Sequence, residues 1–420
     1  MKYFTSIAAT LWIAALAGAC QPREFARTNG AVPANSATSL AASGYDLFEK
    51  VRAGRSAAEN TFIAPLSVQQ AMGLVHAGAR GQTASEIEAA LGLPAGEAAD
   101  AALAAQRRAV TGDTGLVAVK LANALWLGHQ FGFRPDYLEA ARSRYDARAA
   151  GLDFANAQEV AARTINGWAS DNTRGLIKSI VTPDNFDANT LAVLTNAVYF
   201  EGEWQTRFGN AVSVSFLMGD GKEQPFPLMG KTADFTYAEA GDWKAVRLPY
   251  KASKDGAVNP RFVMDVFLPV KRQAGAMLSA ATFADLTARL DKAQPVTVKV
   301  TLPRFEIVWK DELNDALRAQ GIKAAFTVGQ ADFSGLVDDA RRRLVISRVT
   351  HASRLQVFET GTRAAAVTAV EIVVTSAPYY PVPPKIFRVD QPFHLAIRDR
   401  TSGTVLFVGR IARPELYQSS

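Results

Sequence analysis

Hydrophobic positions along this chain change their period several times, and each change marks an element. From Leu40 to Ala53 (LAASGYDLFEKVRA) apolar groups recur at helical spacing. Pro65 is placed to start a second helix, with Val68, Met72, Leu74 and Val75 on its buried side. Glu86, Ile87, Ala90 and Leu91 belong to a short amphipathic helix closed by Gly92 and Pro94. Residues 158–171 form another, ended by Asn172-Thr173-Arg174-Gly175. Thr190–Phe200 (TLAVLTNAVYF) is long, aliphatic and aromatic, as expected of a strand buried on both faces. Over residues 296–308 the alternation of Val296, Val298, Val300 and Leu302 predicts one long half-buried strand. Phe393–Arg398 and Thr404–Gly409 flank Thr401-Ser402-Gly403 as a hairpin. Helices and strands that share one continuous core predict a single α+β domain.

Composition narrows the class. With 48% hydrophobic and 20% charged residues over 420 positions, the chain has the make-up of a globular protein. Cys20 is the one cysteine, so no intrachain disulfide and no thiolate zinc site can form. The net charge of +6 is a mild bias at this length and points to no nucleic-acid partner. Arg341-Arg342-Arg343 follows Asp338-Asp339 and reads as a charged surface turn.

The first residues read as a targeting segment. Lys2 gives a minimal positive start, and residues 7–19 supply an apolar stretch too short to span a bilayer. Residues 1–19 are therefore expected to be a signal peptide, with Ala17 and Ala19 suiting a cleavage site. Ala17-Gly18-Ala19-Cys20 resembles a bacterial lipobox, which makes Cys20 a lipidation candidate; ordinary cleavage near Ala19 is the alternative. Residues 20–39 are small, polar and proline-containing, as a flexible tether is. The protein is expected outside the cytosol, either released or anchored at the cell envelope.

Enzyme signatures are missing. There is no His-Glu-x-x-His, Gly-x-Ser-x-Gly or Gly-x-Gly-x-x-Gly, and His76, His129, His351 and His394 lack metal-ligand spacing. The reading is a non-enzyme with no metal, no cofactor and no catalytic residues.

One segment is unusual. Leu355–Glu359 reads as a strand, followed by Thr360-Gly361-Thr362-Arg363 and the run Ala364-Ala365-Ala366-Val367-Thr368-Ala369-Val370. A stretch rich in proline and tyrosine, Pro378–Pro384, comes next. From 364 to 384 the chain is nearly uncharged and built of small and β-branched residues, the composition of a strand in search of a partner. A buried strand followed by a proline-rich linker is the plainer reading. Thr362, Ala364, Ala366, Thr368, Val370 and Ile372 would share one small or apolar face, with Arg363 and Glu371 on the other. About 13 such residues at roughly 3.3 Å each span about 40 Å, enough to cross a large sheet.

From about residue 40 to 414 the chain resembles a serpin. Residues 62–68 (FIAPLSV) resemble the start of that family's second helix. Thr195–Phe200 with Gly202 and Trp204 resembles its central strand, and Asp332-Phe333-Ser334-Gly335 matches a signature. Glu359-Thr360-Gly361-Thr362 followed by alanines matches the reactive-loop hinge; Gln391-Pro392-Phe393 and Gly409-Arg410 match the last strands.

The resemblance implies a single domain over 40–414 with a large central mixed sheet, two further sheets, surrounding helices and an exposed reactive loop at 360–384, followed by a tail at 415–420. It implies a monomeric suicide inhibitor whose partners are serine proteases, held as a covalent acyl complex. Glu359, Gly361, Thr362, Arg363, Ala364, Ala365 and Ala366 correspond to the hinge. Arg363 stands where the family usually has Glu, and Val367 where it has a smaller residue; both fall on the solvated face. Ser67, Asn196 and His351 correspond to the hydrogen-bonded cluster that lets the sheet part, with Ala64 replacing a common serine nearby. Trp204 corresponds to the point where the loop first inserts, or is simply a core aromatic.

Counting the family's usual span from Glu359 puts the reactive bond at Thr375-Ser376, within a window of 374–379. No Lys or Arg occurs from 364 to 384, which argues against trypsin-like targets. Val373, Val374 and Thr375 suit an elastase- or subtilisin-type pocket; a cut at Tyr379 would suit chymotrypsin-like enzymes. A non-inhibitory serpin that binds a ligand or acts as a chaperone is the alternative.

Overall fold

The computed structural model describes residues 34–252, 260–338, 344–362 and 382–417. The signal segment with Cys20, the Arg341–Arg343 run, Arg363–Ala366 and the Thr375-Ser376 bond lie outside the described residues.

The chain opens with helix α1 (Ala34–Arg52), the short strand β1 (Thr61–Ile63) and three further helices, α2 (Pro65–His76), α3 (Gly81–Leu91) and α4 (Glu97–Val110). Then come β2 (Gly112–Asp113), β3 (Val117–Gly128), α5 (Pro135–Tyr145), β4 (Arg148–Leu152), α6 (Gln158–Asn172) and β5 (Ala192–Glu203). A run of strands follows: β6 (Val212–Leu217), β7 (Glu223–Ala240), β8 (Trp243–Pro249) and β9 (Phe262–Pro269). After α7 (Ala280–Lys292) lie β10 (Pro295–Pro303), β11 (Phe305–Glu312), α8 (Asn314–Ala319), β12 (Arg348–Phe358) and the two-residue β13 (Gly361–Thr362). The chain closes with β14 (Lys385–Arg388), β15 (Phe393–Asp399) and β16 (Val405–Ile411).

Two sheets organise these elements. The seven-stranded sheet runs β11-β12-β13-β5-β3-β2, with β4 beside β3. The nine-stranded sheet runs β1-β16-β15-β9-β8-β7-β10-β14, with β6 on β7. Where two further sheets are expected, one continuous sheet stands. β7 explains it: its first half pairs with β6, its middle with β10 and its last residues with β8, so an 18-residue strand bridges what a shorter one would leave as two sheets.

The seven-stranded sheet is buried on both sides. Leu121, Leu125, Leu194 and Val198 join the main core with α2, while Ala122, Ala124, Trp126, Val193 and Ala197 pack under α6 in a second core. This matches the largely apolar run from 190 to 200. Pro65 does begin α2, and Gly92 closes α3 at φ 65°, a left-handed cap that suits a residue without a side chain.

Two expectations need correction. The tether drawn to residue 39 ends earlier, because α1 already begins at Ala34; small residues continue a helix whose later turns are packed into the core. The single strand over 296–308 is two strands in different sheets, broken at Arg304. Val298, Val300 and Leu302 are buried before the break and Phe305, Ile307 and Trp309 after it, so the inward face switches from even to odd positions.

Candidate functional site

The site is built where β5 and β12 part. They pair in parallel over five positions only, Val193–Ala197 against Arg348–Ala352. At the other end of β5 the neighbour is β13: Gly361 and Thr362 pair with Glu203 and Gly202 on one side and with Phe358 and Val357 of β12 on the other. Gly361 and Thr362 thus occupy the mouth of a gap whose far end is closed by β5 and β12 themselves.

The approach at Gly361 is tight, against the backbone of Gly202 and Glu203. A Cβ on Gly361 would lie 2.2 Å from the Gly202 carbonyl oxygen and 2.8 Å from Glu203 Cα. Thr362 turns its side chain into the main core, 1% exposed, with its Oγ1 hydrogen-bonded to the Tyr250 hydroxyl.

Trp204 secures the turn before them. Its backbone N–H donates to Thr360 O at 2.9 Å and its indole N–H to Phe358 O at 2.8 Å, while the Phe208 N–H donates to Glu359 O at 2.9 Å. The indole stacks on Tyr250 with centroids 4.5 Å apart. Trp204 is a buried core aromatic that also reaches the residues just before Gly361. The Glu359 carboxylate lies 3.9 Å from the Arg304 guanidinium, which also stands over the Phe358 ring.

The second part of the site sits beneath the closed end. Asn196 of β5 is directly opposite His351 of β12, and both side chains face α2. Asn196 Oδ1 accepts from His351 Nδ1 and, at 3.2 Å, from the Ser67 hydroxyl. His351 Nε2 accepts the Ala64 backbone N–H at 3.0 Å. These contacts place the ring proton on Nδ1. Burial pushes the His351 pKa down to about 3, so the ring is neutral. The structure therefore brings Ser67, Asn196 and His351 together as the spacing alone could not. Ala64 contributes through its main chain, where no hydroxyl is required.

Sequence reasoning missed Asn123. It pairs in register with Asn196 across β3 and β5 and is buried, and its amide together with Asn196 Nδ2 makes no hydrogen bond among the described residues. Its signal was an uncharged polar residue inside the otherwise apolar run LANALWLG. Tyr250 was missed as well, being brought to Thr362 from a distant part of the chain.

Among the described residues no group of His, Cys, Asp and Glu could hold a metal ion, and no helix is long and apolar enough to cross a membrane.

A two-layer arrangement with a hinge seated in a parted sheet is that of one protein family. The family profile described as Serpin (serine protease inhibitor) matches residues 38–414, and the chain belongs to the serpin family. A serpin-like protein of Thermococcus kodakarensis is 33% identical over 380 residues, covering 88% of this chain and 84% of its own. Human neuroserpin is 32% identical over 379 residues, covering 86% of this chain and 88% of its own. The native structure of the thermophilic serpin tengpin superposes with a TM-score of 0.76 at 25% identity, over 90% of this chain and 94% of its own. Most members of the family inhibit proteases and are not enzymes, and serine proteases are their general kind of partner.

Proposed function

We propose that this chain is a suicide inhibitor of serine proteases, trapping its target by drawing the cut loop into the seven-stranded sheet. The observation that supports this is the position of Gly361 and Thr362, already hydrogen-bonded between β5 and β12 at the mouth of the gap. The protease serine Oγ attacks the carbonyl carbon of Thr375. The C–N bond to Ser376 breaks, the Ser376 nitrogen leaves with a proton as an amine, and the protease stays esterified to Thr375. Water would complete the hydrolysis; insertion that outruns it drags the ester-linked protease along and distorts its catalytic site.

The residues suit the movement. On the parity of buried Thr362, Ala364 and Ala366 enter the core face as small side chains, Ala365 takes the opposite face, and Arg363 beside it keeps its charge there. Asn196 and His351 lie on the two strands that must separate, and Ser67 below them holds the pair until they do. Val373, Val374 and Thr375 address an elastase- or subtilisin-type pocket, Tyr379 a chymotrypsin-like one. The protein acts outside the cytosol, released or held by a lipid on Cys20.

The test is incubation with elastase, subtilisin, chymotrypsin and trypsin, followed by denaturing gels, mass spectrometry and melting curves. A denaturant-resistant complex, a released fragment 376–420 and a higher Tm after loop cleavage are expected. Loop cleavage with neither complex nor Tm gain overturns the inhibitor reading and leaves the ligand-binding alternative.

A further inference from the structure

The segment after β16 leaves the nine-stranded sheet and finishes on the hinge of the other one. Asn60 grips its start: Oδ1 accepts the backbone N–H groups of Ala412 and Arg413, each at 2.8 Å, and Nδ2 donates to Arg413 O at 2.7 Å. Pro414 is buried. Glu415 then makes an antiparallel bridge to Glu306 of β11, whose N–H donates to Glu415 O at 2.8 Å and whose carbonyl accepts the Glu415 N–H at 3.4 Å. Two residues on, the Tyr417 ring meets the Phe358 ring edge-on, with centroids 5.7 Å apart.

Phe358 is no ordinary surface ring. It ends β12, pairs with Gly361, accepts the Trp204 indole N–H through its carbonyl, and carries Arg304 over its face. β11 is the outer strand of the sheet and is laddered to β12 over eight positions, Phe305–Glu312. For a strand to pass between β5 and β12, the β11–β12 pair must therefore shift away from β5 as one piece. The 412–417 segment is continuous with β16 in one sheet and hydrogen-bonded to that pair in the other.

We infer that Pro414–Tyr417 is a strap across the two sheets, and that Tyr417, through Phe358, is a positioning residue that keeps the hinge at the mouth of the gap until the loop is cut. This rests on the insertion reading above. A tail that merely covered surface would need neither the asparagine clasp nor the two main-chain hydrogen bonds to an outer strand, and would have no reason to end on the residue before the hinge turn.

The full chain is compared with Tyr417→Ala, Tyr417→Phe and a version stopped after Pro414. Three quantities are read: conversion of the uncut protein to a heat-resistant, non-inhibitory form, amide hydrogen exchange over residues 354–362, and Tm before and after loop cleavage. Tyr417→Ala and the shortened chain should convert about threefold faster, with exchange at Phe358–Gly361 rising by a similar factor, the size of effect an aromatic edge contact carries. Tyr417→Phe should behave as the parent, and the cleaved forms should melt alike. Equal conversion and equal exchange in Tyr417→Ala and the parent overturn the strap. So does a Tm loss of the same size in uncut and cleaved forms, which is what a purely structural contact gives. A parent whose Tm does not rise on cleavage defeats the insertion reading instead, while the exchange comparison still decides whether the strap restrains the hinge.

Discussion

The Tyr250 hydroxyl stands 2.5 Å from Thr362 Oγ1, so Thr362 is fastened from below by a side chain just past the end of β8. Thr362 is buried there, and a charged replacement has no partner to meet. Thr362→Arg costs several kcal/mol if the hinge is to seat with an unpaired guanidinium beneath it. The expected result is a loop that is still cut but does not insert: no gel-stable complex, and no Tm gain in the cleaved protein. Thr362→Ser keeps the hydroxyl and should retain both.

Gly361 meets the opposite strand through its backbone. Gly361→Val adds a Cβ only 2.2 Å from the Gly202 carbonyl, and main chain on that side cannot rotate away. The pair Gly361–Thr362 should leave the gap. The Trp204 and Phe208 amides, which donate to Thr360 O and Glu359 O, should then lose protection from hydrogen exchange.

His351→Ala strips the buried Ala64 N–H of its acceptor and Asn196 Oδ1 of one of its two donors. A loss of about 2–4 kcal/mol of unfolding free energy is expected, measured by urea denaturation of the uncut protein. Ser67→Ala removes one hydroxyl from the same carbonyl and should cost about 1 kcal/mol.

Acid should weaken the fold through two histidines. His351 and His394 are held neutral by burial, His394 with neither ring nitrogen hydrogen-bonded among the described residues. Below about pH 6.5 the unfolded chain takes up protons that these folded rings refuse. Stability therefore falls as pH drops from 6.5 toward 4, by up to about 1.4 kcal/mol per pH unit for each histidine. His76 behaves oppositely: burial works against its charge, but hydrogen bonds to Asp100 and Glu88 outweigh it and raise the pKa. Its contribution is complete below 6.5 and is lost only as pH rises through that raised value, so it does not offset the acid loss. His394→Leu, in contact with Phe48 and Trp243, should reduce the acid slope by about half, read from denaturation curves at several pH values.

The elements around β5 and α2 were legible in the sequence because each has a local signature, whereas Ser67, Asn196 and His351 could be grouped only through the family resemblance. Pro65 starts a helix, and 190–200 is apolar except at Thr190, Thr195 and Asn196. What escaped was relational. The break at Arg304 was present as a change of parity between Leu302 and Phe305, but the alternation of valines before it masked the switch. The first turn of α1 escaped because Ala34–Ser39 has the small polar make-up of a linker, and only the packing of later turns makes it helical. Tyr250 under Thr362 and Tyr417 on Phe358 join positions more than 50 residues apart, which no local period can report.

The five-rung join between β5 and β12 has a consequence for how this molecule stores its shape. A strand laid between them breaks one ladder and builds two, so the filled sheet ends with more main-chain hydrogen bonds than the parted one. With Gly361 and Thr362 already seated, the first and least favourable step of such a zipper has been taken. On the proposed insertion, the resting form would be kept by the order in which bonds can be exchanged and not by their total number, as a drawn bow is kept by its catch.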